Sequence, residues 1–306
     1  PGLHLDLSSF RMNLLKFRST VGSLLLAALA WTLAAPAQAQ QRTLVRLHTT
    51  QGPVDMRLYD TEAPISVANF LAYATAGDYA NAFFHRSVRN FVVQAGGFRW
   101  DPNSASCCQA VTSRGKITNE FSAGRSNLRG TVAMAKVGGD PNSATSQWFV
   151  NLGNNSTNLD SQNGGFTVFA RLTTPSMAVV DMIAALPIVN GGGTFAELPL
   201  TGWTAGTPIQ RSNLVFINKV TVFPAEPGGT DRVLNYLEAL YPQYLAPAEG
   251  AAGAADGYSY RYYAGSNAYV GEKDGKVWYL VPSVANEIRE LGSLADLLAA
   301  AELAGY

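Results

Sequence analysis

The sequence predicts a mainly β fold, a closed antiparallel barrel capped at its ends, on three observations. Apolar residues alternate with period two in many short runs, Gly-rich turns separate the runs, and only two stretches of the same region show helical spacing. The 306 residues suffice for one or two domains, each able to bury a core.

Residues 1–39 stand apart from that fold. Lys16 and Arg18 precede an apolar stretch over 24–35, and Pro36 leads into Ala37-Gln38-Ala39, the small-x-small pattern of a signal-peptidase site. At about twelve residues the run is too short to span a bilayer comfortably. These features predict Met12 as the start, 1–39 as upstream residues and signal peptide, and Gln40 as the mature N-terminus. A periplasmic or secreted protein follows, with no stable membrane insertion after cleavage.

The first domain is expected over 42–225. Leu44, Arg46 and His48 alternate with Val45, Leu47 and Thr49, a Gln51-Gly52-Pro53 turn follows, and 54–59 returns as the second arm of a hairpin. Pro64 opens a helix in which Ile65, Val67, Phe70, Leu71 and Tyr73 fall at helical spacing, and Gly77 closes it. Strand-like runs come next at 83–88, 91–94, 130–135, 147–152 and 166–172, then a helix at 177–186 and a last strand at 214–223.

A composition shift marks the second boundary. Ten of the thirteen tyrosines follow the Pro-Ala-Glu-Pro-Gly-Gly stretch at 224–229, a linker by composition. Residues 230–306 are therefore expected to form a small tyrosine-rich α+β module. Val233, Leu234, Leu237, Leu240 and Tyr241 fall at helical spacing with Thr230 as N-cap. An Ala/Gly-rich loop, strands at 258–264, 267–272 and 277–281, and a Lys273-Asp274-Gly275-Lys276 turn follow. Ser293-Leu294-Ala295-Asp296 resembles a capping box before a last short helix. One buried face of a small sheet accounts for the tyrosines in preference to a peptide- or glycan-binding surface.

Composition excludes several functions. Lys plus Arg and Asp plus Glu both number 22, so no large phosphate-binding field and no nucleic-acid partner is expected. No Walker A pattern is present, and Gly191-Gly192-Gly193 lacks a following Lys, which leaves it a flexible loop. A Ser or Cys hydrolase needs a base, but beyond residue 39 only His48 and His85 remain, without a G-x-S-x-G elbow. His and Cys are also too few for a zinc cluster, so neither metal nor cofactor is predicted. Cys107 and Cys108 are neighbours in a loop without catalytic duty, their redox state open: adjacency strains a bridge, while an oxidising compartment favours one.

What remains is the stretch 83–98, which sets Arg86 and Gln94 among aromatic and aliphatic residues. Alternation sends Phe84 and Arg86 to one face and His85 to the other, as a structural residue, and brings Phe91 and Gln94 near. Farther on, 143–151 supplies Gln147, Trp148 and Phe149. An apolar bowl with one Arg and a few amides is a poor acid–base site and suits an apolar ligand whose carbonyl is gripped.

These blocks resemble the cyclophilins, peptidyl-prolyl cis/trans isomerases, and look most like exported bacterial members. The F-H-R stretch, F-x-x-Q-x-G-G, R-G-T-V-A-M-A at 129–135, S-A-T-S-Q-W-F-V-N and Gly165-Phe166-Thr167-Val168-Phe169 occur in the family's order, over about 43–225. The resemblance implies an eight-stranded closed antiparallel barrel with a helix closing each end. It also implies isomerisation of X-Pro bonds in proline-containing polypeptides, assisting the folding of exported proteins.

Carried over by position, Arg86 matches the catalytic arginine. Phe91, Val92, Phe149 and Leu159 match the walls of the proline pocket, with Val92 where methionine is frequent. Gln94 and Gln147 match amides that bind the substrate backbone and orient the arginine. Met134, Ala135 and Lys136 match an edge strand on which the peptide is laid, Lys136 replacing an asparagine whose contact is made through the main chain. Phe166 replaces a rim histidine. Asn158 stands where many members carry the tryptophan that touches cyclosporin, so cyclosporin binding is expected to be weak. Ala95 replaces the first glycine of Q-G-G or is inserted, either of which would shift Gln94. The rival function is a binding module that grips proline segments while the tyrosine-rich module does the work. The Arg86, Gln94 and Phe149 set favours the enzyme.

Overall fold

The computed structural model describes residues 42–101, 103, 108–224 and 228–306. The expected signal peptide, Met12, Gln40, Cys107 and residues 225–227 of the expected linker lie outside the described residues. Cys108 is disulfide-bonded.

Strand β1 (Leu44–Thr49) pairs antiparallel with β2 (Gly52–Leu58), Thr49 opposite Gly52, as the alternation predicts. Helix α1 (Pro64–Thr75) starts on a proline whose fixed φ suits a first turn, and it buries Ser66, Val67, Phe70, Tyr73 and Ala74. The chain then forms β3 (Ala82–Phe83), β4 (Arg86–Val88), β5 (Val92–Ala95), β6 (Phe98–Trp100), β7 (Cys108–Ala110), β8 (Thr131–Met134) and β9 (Trp148–Asn151). One turn of helix, α2 (Ser156–Leu159), precedes β10 (Val168–Leu172) and α3 (Thr174–Ala185). Short strands β11 (Ile188–Val189) and β12 (Leu198–Pro199) pair with each other, and β13 (Phe216–Val222) returns against β1.

Eleven of these strands form one curled sheet in the order β4-β5-β9-β8-β10-β2-β1-β13-β3-β6-β7. This corrects the closed eight-stranded barrel: the ladder is a half-barrel whose end strands, β4 and β7, do not pair with each other. The cause is a break in the expected strand at 83–88. Phe84 N donates to Val215 O on one flank, His85 N to Gln94 O on the other, so the run divides into β3 and β4. Beyond β3, β6 and β7 extend the flank that the sequence left as loop. A second correction concerns β8, which lies between β9 and β10 and is not an edge strand.

The concave side holds a core to which β1, β2, β5, β8, β9 and β13 contribute alternate residues, and against which α1 and α3 bury Phe70, Tyr73, Val180 and Ile183. Trp148 sits at its centre, fully buried, with Phe70, Tyr79 and Phe84 rings edge-on at 6.0–6.5 Å.

The remaining chain builds α4 (Gly229–Leu240), a five-stranded antiparallel meander of β14 (Ala251–Ala255), β15 (Tyr258–Tyr263), β16 (Ala268–Lys273), β17 (Lys276–Val281) and β18 (Ala285–Ser293), and α5 (Leu294–Leu303). The turns Asp256-Gly257 and Asp274-Gly275 have positive φ at both residues, the geometry that joins twisted strands in two residues. Three expectations change here. The Ala/Gly-rich stretch is strand β14, β18 was not foreseen, and Thr230 lies inside α4, whose N-cap is Gly228 with no side-chain bond. Ser293 does cap α5, its Oγ accepting from Asp296 N at 3.1 Å. Nor do the tyrosines share one buried face. Tyr263 is buried against α4 and Tyr306 against β1, whereas Tyr258, Tyr260, Tyr262 and Tyr269 lie half-buried on the opposite face of the sheet.

A fully buried guanidinium ties this segment to the main sheet. Arg46 on β1 donates through Nε and Nη2 to both oxygens of Asp55 at 2.7 Å, through Nη1 to Glu238 and Ala248 O, and through Nη2 to Asn235 O at 2.8 Å. Tyr306 donates to Asp55 at 2.6 Å, and Tyr263 and Arg261 donate to Glu238 at 2.8 and 2.9 Å. Arg46, Asp55 and Glu238 have no exposed surface. Removing one partner of such a set leaves an uncompensated charge in the interior, at a cost of about 3–5 kcal/mol. Glu238→Ala is therefore expected to lower unfolding free energy by about that much in denaturant titration. Deletion of 228–306 removes Glu238, Asn235 and Tyr306 together and is expected to cost at least as much. Unchanged midpoints for both variants would disprove the tie.

Candidate active site

The site is a row across four strands. Arg86 on β4 pairs with Gln94 on β5, Gln94 with Phe149 on β9, and Phe149 with Ala133 on β8. Directly paired residues of an antiparallel ladder lie on the same face of the sheet. Val92, two residues before Gln94, lies on that face too. With Leu159 from α2 and Val168 from β10, Val92, Ala133 and Phe149 form an apolar cluster. Phe91, Ala135 and Phe166 pack on it half-buried, the Phe166 ring 5.8 Å from Phe149 at 68°.

Polar groups ring this hollow. Gln94 Nε2 donates to Gln147 Oε1 at 2.7 Å, and Arg86 Nε donates to Glu197 Oε2 at 2.6 Å. The Arg86 side chain is 34% exposed. Beside it a cavity of about 370 Å³ is lined by His85, Arg86, Gln94, Phe98, Gln147 and the Gly193–Glu197 loop. Lys136 Nζ donates to Asn163 O at 2.8 Å and Gly165 O at 2.6 Å and lies 4.7 Å from the centre of the Phe166 ring. Its ammonium thus holds the rim aromatic, a part the sequence did not assign to it, and burial draws its pKa below the usual lysine value.

Ala95 follows Gln94 on β5. It extends β5 opposite Trp148, and the following glycines do the accommodating. Gly96 has φ +78, and a Cβ at Gly97 would stand 2.7 Å from Gln147 Cδ. The two glycines therefore let β5 approach the Gln147 side chain closely.

Of the expected site residues, Arg86, Gln94 and Gln147 line the cavity, and Phe91, Val92, Phe149, Leu159, Ala135 and Phe166 surround the adjoining hollow. Met134 is a correction: it is 1% exposed and packs into the main core, its chain neighbours Ala133 and Ala135 facing the hollow. Asn158 is exposed on α2. His85 is a second correction, lining the same cavity as Arg86 because the break between β3 and β4 interrupts strict alternation. Glu197, 111 residues from Arg86 in the chain, was missed, and no local pattern marks it.

Among the described residues no cluster of His, Cys, Asp and Glu suits a metal ion, and no helix is long and apolar enough to cross a membrane. A greasy hollow thus stands beside one guanidinium and two paired amides on a curled antiparallel sheet. The family described as cyclophilin type peptidyl-prolyl cis-trans isomerase/CLD matches residues 44–204. The chain is 39% identical over 157 residues to a peptidyl-prolyl cis-trans isomerase of Acinetobacter baylyi, spanning 51% of this chain and 79% of that protein. It is 37% identical over 167 residues to peptidyl-prolyl cis-trans isomerase A of Dickeya dadantii, spanning 54% and 83% respectively. A solved cyclophilin type peptidyl-prolyl cis-trans isomerase of Cryptosporidium parvum is similar at TM-score 0.45 and 21% identity, over 61% of this chain and 99% of that one. The chain belongs to the cyclophilin family and is a peptidyl-prolyl cis-trans isomerase.

His85 gives the fold a pH dependence. It is 3% exposed, its Nδ1 has no hydrogen-bond partner among the described residues, and burial pushes its pKa down to about 4. Between pH 4 and the unfolded value near 6.5 the unfolded chain binds the extra proton, so stability is complete above about 6.5 and falls on acidification towards 4. The expected loss is about 3 kcal/mol. Melting curves from pH 7 to 4 should show this slope in the wild type and a flatter one in His85→Asn. Parallel curves for the two would refute it.

Proposed function

We propose that Arg86 is the catalytic group, acting on proline-containing segments of exported proteins in the periplasm or outside the cell. The observation that supports this reading most is the row of Arg86, Gln94 and Phe149 beside the apolar hollow. Rotation about an X-Pro bond must overcome a barrier of about 20 kcal/mol, because amide resonance is lost, and unaided exchange takes tens of seconds. No bond forms or breaks, so no nucleophile, general base or cofactor is needed. In the twisted amide the nitrogen lone pair is localised. Phe91, Val92, Phe149 and Leu159 clamp the pyrrolidine ring while the acyl side turns. The Arg86 guanidinium donates to the developing lone pair or holds the carbonyl, a preorganised donor worth about 10²- to 10³-fold. Gln94 and Gln147 hold the substrate backbone, which lies along the main chain of Ala135 and Lys136 where β8 has ended. With Asn158 in place of an indole, cyclosporin binds weakly.

Arg86→Ala is expected to slow isomerisation of an Ala-Pro peptide by about 10²-fold or more with an unchanged melting curve. Arg86→Lys recovers part of the loss, since a point charge cannot reproduce a planar fork. A protease-coupled assay decides, and equal rates for wild type and Arg86→Ala would remove the assignment.

Export rests on the basic flank Lys16 and Arg18, the apolar run over 24–35 and the Ala37-Gln38-Ala39 triplet. The domain division, 42–225 for the isomerase and 230–306 for a module set against its first hairpin, is supported by the separate five-stranded sheet. Expression of the whole chain in a bacterial host is expected to yield a periplasmic or secreted protein beginning at Gln40 by mass spectrometry. An uncut chain confined to the cytosol would rule out the export signal.

A further inference from the structure

The last residue of the Gly191-Gly192-Gly193 stretch lines the cavity together with Gln94. Gly192 and Gly193 have φ +87 and +53, and Gly191 N donates to Phe195 O as Phe195 N donates to Gly192 O, both at 2.9 Å. Phe195 anchors this turn between the rings of Phe98 and Phe83, at 4.9 and 5.8 Å. Two residues on, Glu197 O accepts from Ser87 N at 2.8 Å, which stitches the loop to β4 next to Arg86. Its carboxylate then accepts from Arg86 Nε at 2.6 Å. Among the described residues Nη1 and Nη2 of Arg86 have no hydrogen-bond partner.

We infer that Glu197 is the positioning residue for the isomerisation, holding the Nε edge of Arg86 so that the two Nη groups are presented to the substrate. This rests on Arg86 being the catalytic group. A guanidinium is a rigid plane with five donors, so anchoring one edge orients the other. A contact that masked the arginine would engage the Nη groups instead. The loop backbone makes the anchor firm: Glu197 cannot drift while its carbonyl is bonded to Ser87 and Phe195 is wedged between two rings. A donor displaced by about 1 Å from its target loses up to 10²-fold in rate, and losing the anchor without losing the donor is a smaller version of that fault.

The test compares Glu197→Ala, Glu197→Gln, Arg86→Ala and the Arg86→Ala/Glu197→Ala double variant in the full chain, with kcat and KM determined separately on an Ala-Pro peptide. Glu197→Ala is expected to lower kcat about tenfold with KM within about twofold, whereas Glu197→Gln, which keeps an acceptor for Nε–H, stays within about threefold of wild type. In the Arg86→Ala background the Glu197 change is expected to have no further effect. The Arg86 Nε–H resonance is expected to move in both Glu197 variants, and if Glu197→Ala fails to fold, the same resonance in Glu197→Gln decides. Wild-type or raised kcat in Glu197→Ala, or an unmoved resonance, overturns the inference. If Arg86→Ala is inactive while Glu197→Ala is normal, only the positioning role falls; if Arg86→Ala is fully active, the catalytic assignment itself falls.

Discussion

Arg86, Gln94, Phe149 and Ala133 face the same way because their neighbours face the core. Val93 and Ala95 of β5, Trp148 and Val150 of β9, and Val132 and Met134 of β8 all belong to the main core cluster. Side chains alternate along a strand, so burying that set forces the intervening set outward into the hollow. A slip of one residue in β9 would place Trp148 in the hollow and Phe149 in the core, exchanging the two faces at once. The size of Trp148, and the three rings edge-on to it, set a large penalty on that slip. Core packing is thus the device that aims the site, and the short ladder at Arg86 inherits its register from β5.

Two arginines show how environment separates structure from function. Arg46 is fully buried, and its donors are spent on Asp55, Glu238 and two backbone carbonyls, so nothing is left with which to meet a ligand. A charge at that depth persists only with such a complement. Arg86 is one-third exposed beside a cavity and has a single carboxylate on one edge. An exposed ion pair of that kind contributes at most about 1 kcal/mol to stability. Held at its Nε edge and half solvated, the guanidinium keeps its charge.

Much of this was legible in the sequence, where local chemistry and tertiary pairing agree. The β1–β2 hairpin, α1, β5, β9 and the Asp274-Gly275 turn carry period, proline or turn residues that suit their final geometry. The resemblance to cyclophilins grouped Phe91, Val92, Gln94, Gln147, Phe149, Leu159 and Phe166 around one place, where they are found. The misses lie where pairing overrides local preference. Ala251–Ala255 has no residue that favours a strand, yet the Asp256-Gly257 turn folds it onto β15 and pairing imposes the extended form. The break at Phe84 and His85 leaves no mark on an apolar run, though it divides one expected strand between two flanks and swings His85 into the cavity. Glu197 reaches Arg86 only through the fold.

The segment after residue 228 meets the main sheet through the Arg46 set and, among the described residues, does not line the cavity. Its contacts reach β1, β2 and β13 and the start of α3: Glu238 on Arg46, Tyr306 on Asp55, Gly305 O accepting from Arg57 Nε at 3.0 Å, Glu249 accepting from Thr221 at 2.6 Å, and Ala304 O accepting from Thr174 N at 2.9 Å. In the sheet β10 separates β2 from β8, the nearest strand of the functional row. Among the described residues none beyond 197 lines the cavity, and none beyond 168 joins the apolar cluster beside it. A perturbation of the Arg46 set therefore has no contact by which to reach Arg86 except by loosening the core that β1, β2, β8 and β9 share. The attached sheet and helices are thus joined to the main sheet through the Arg46 set, apart from the row that runs from Arg86 to Ala133.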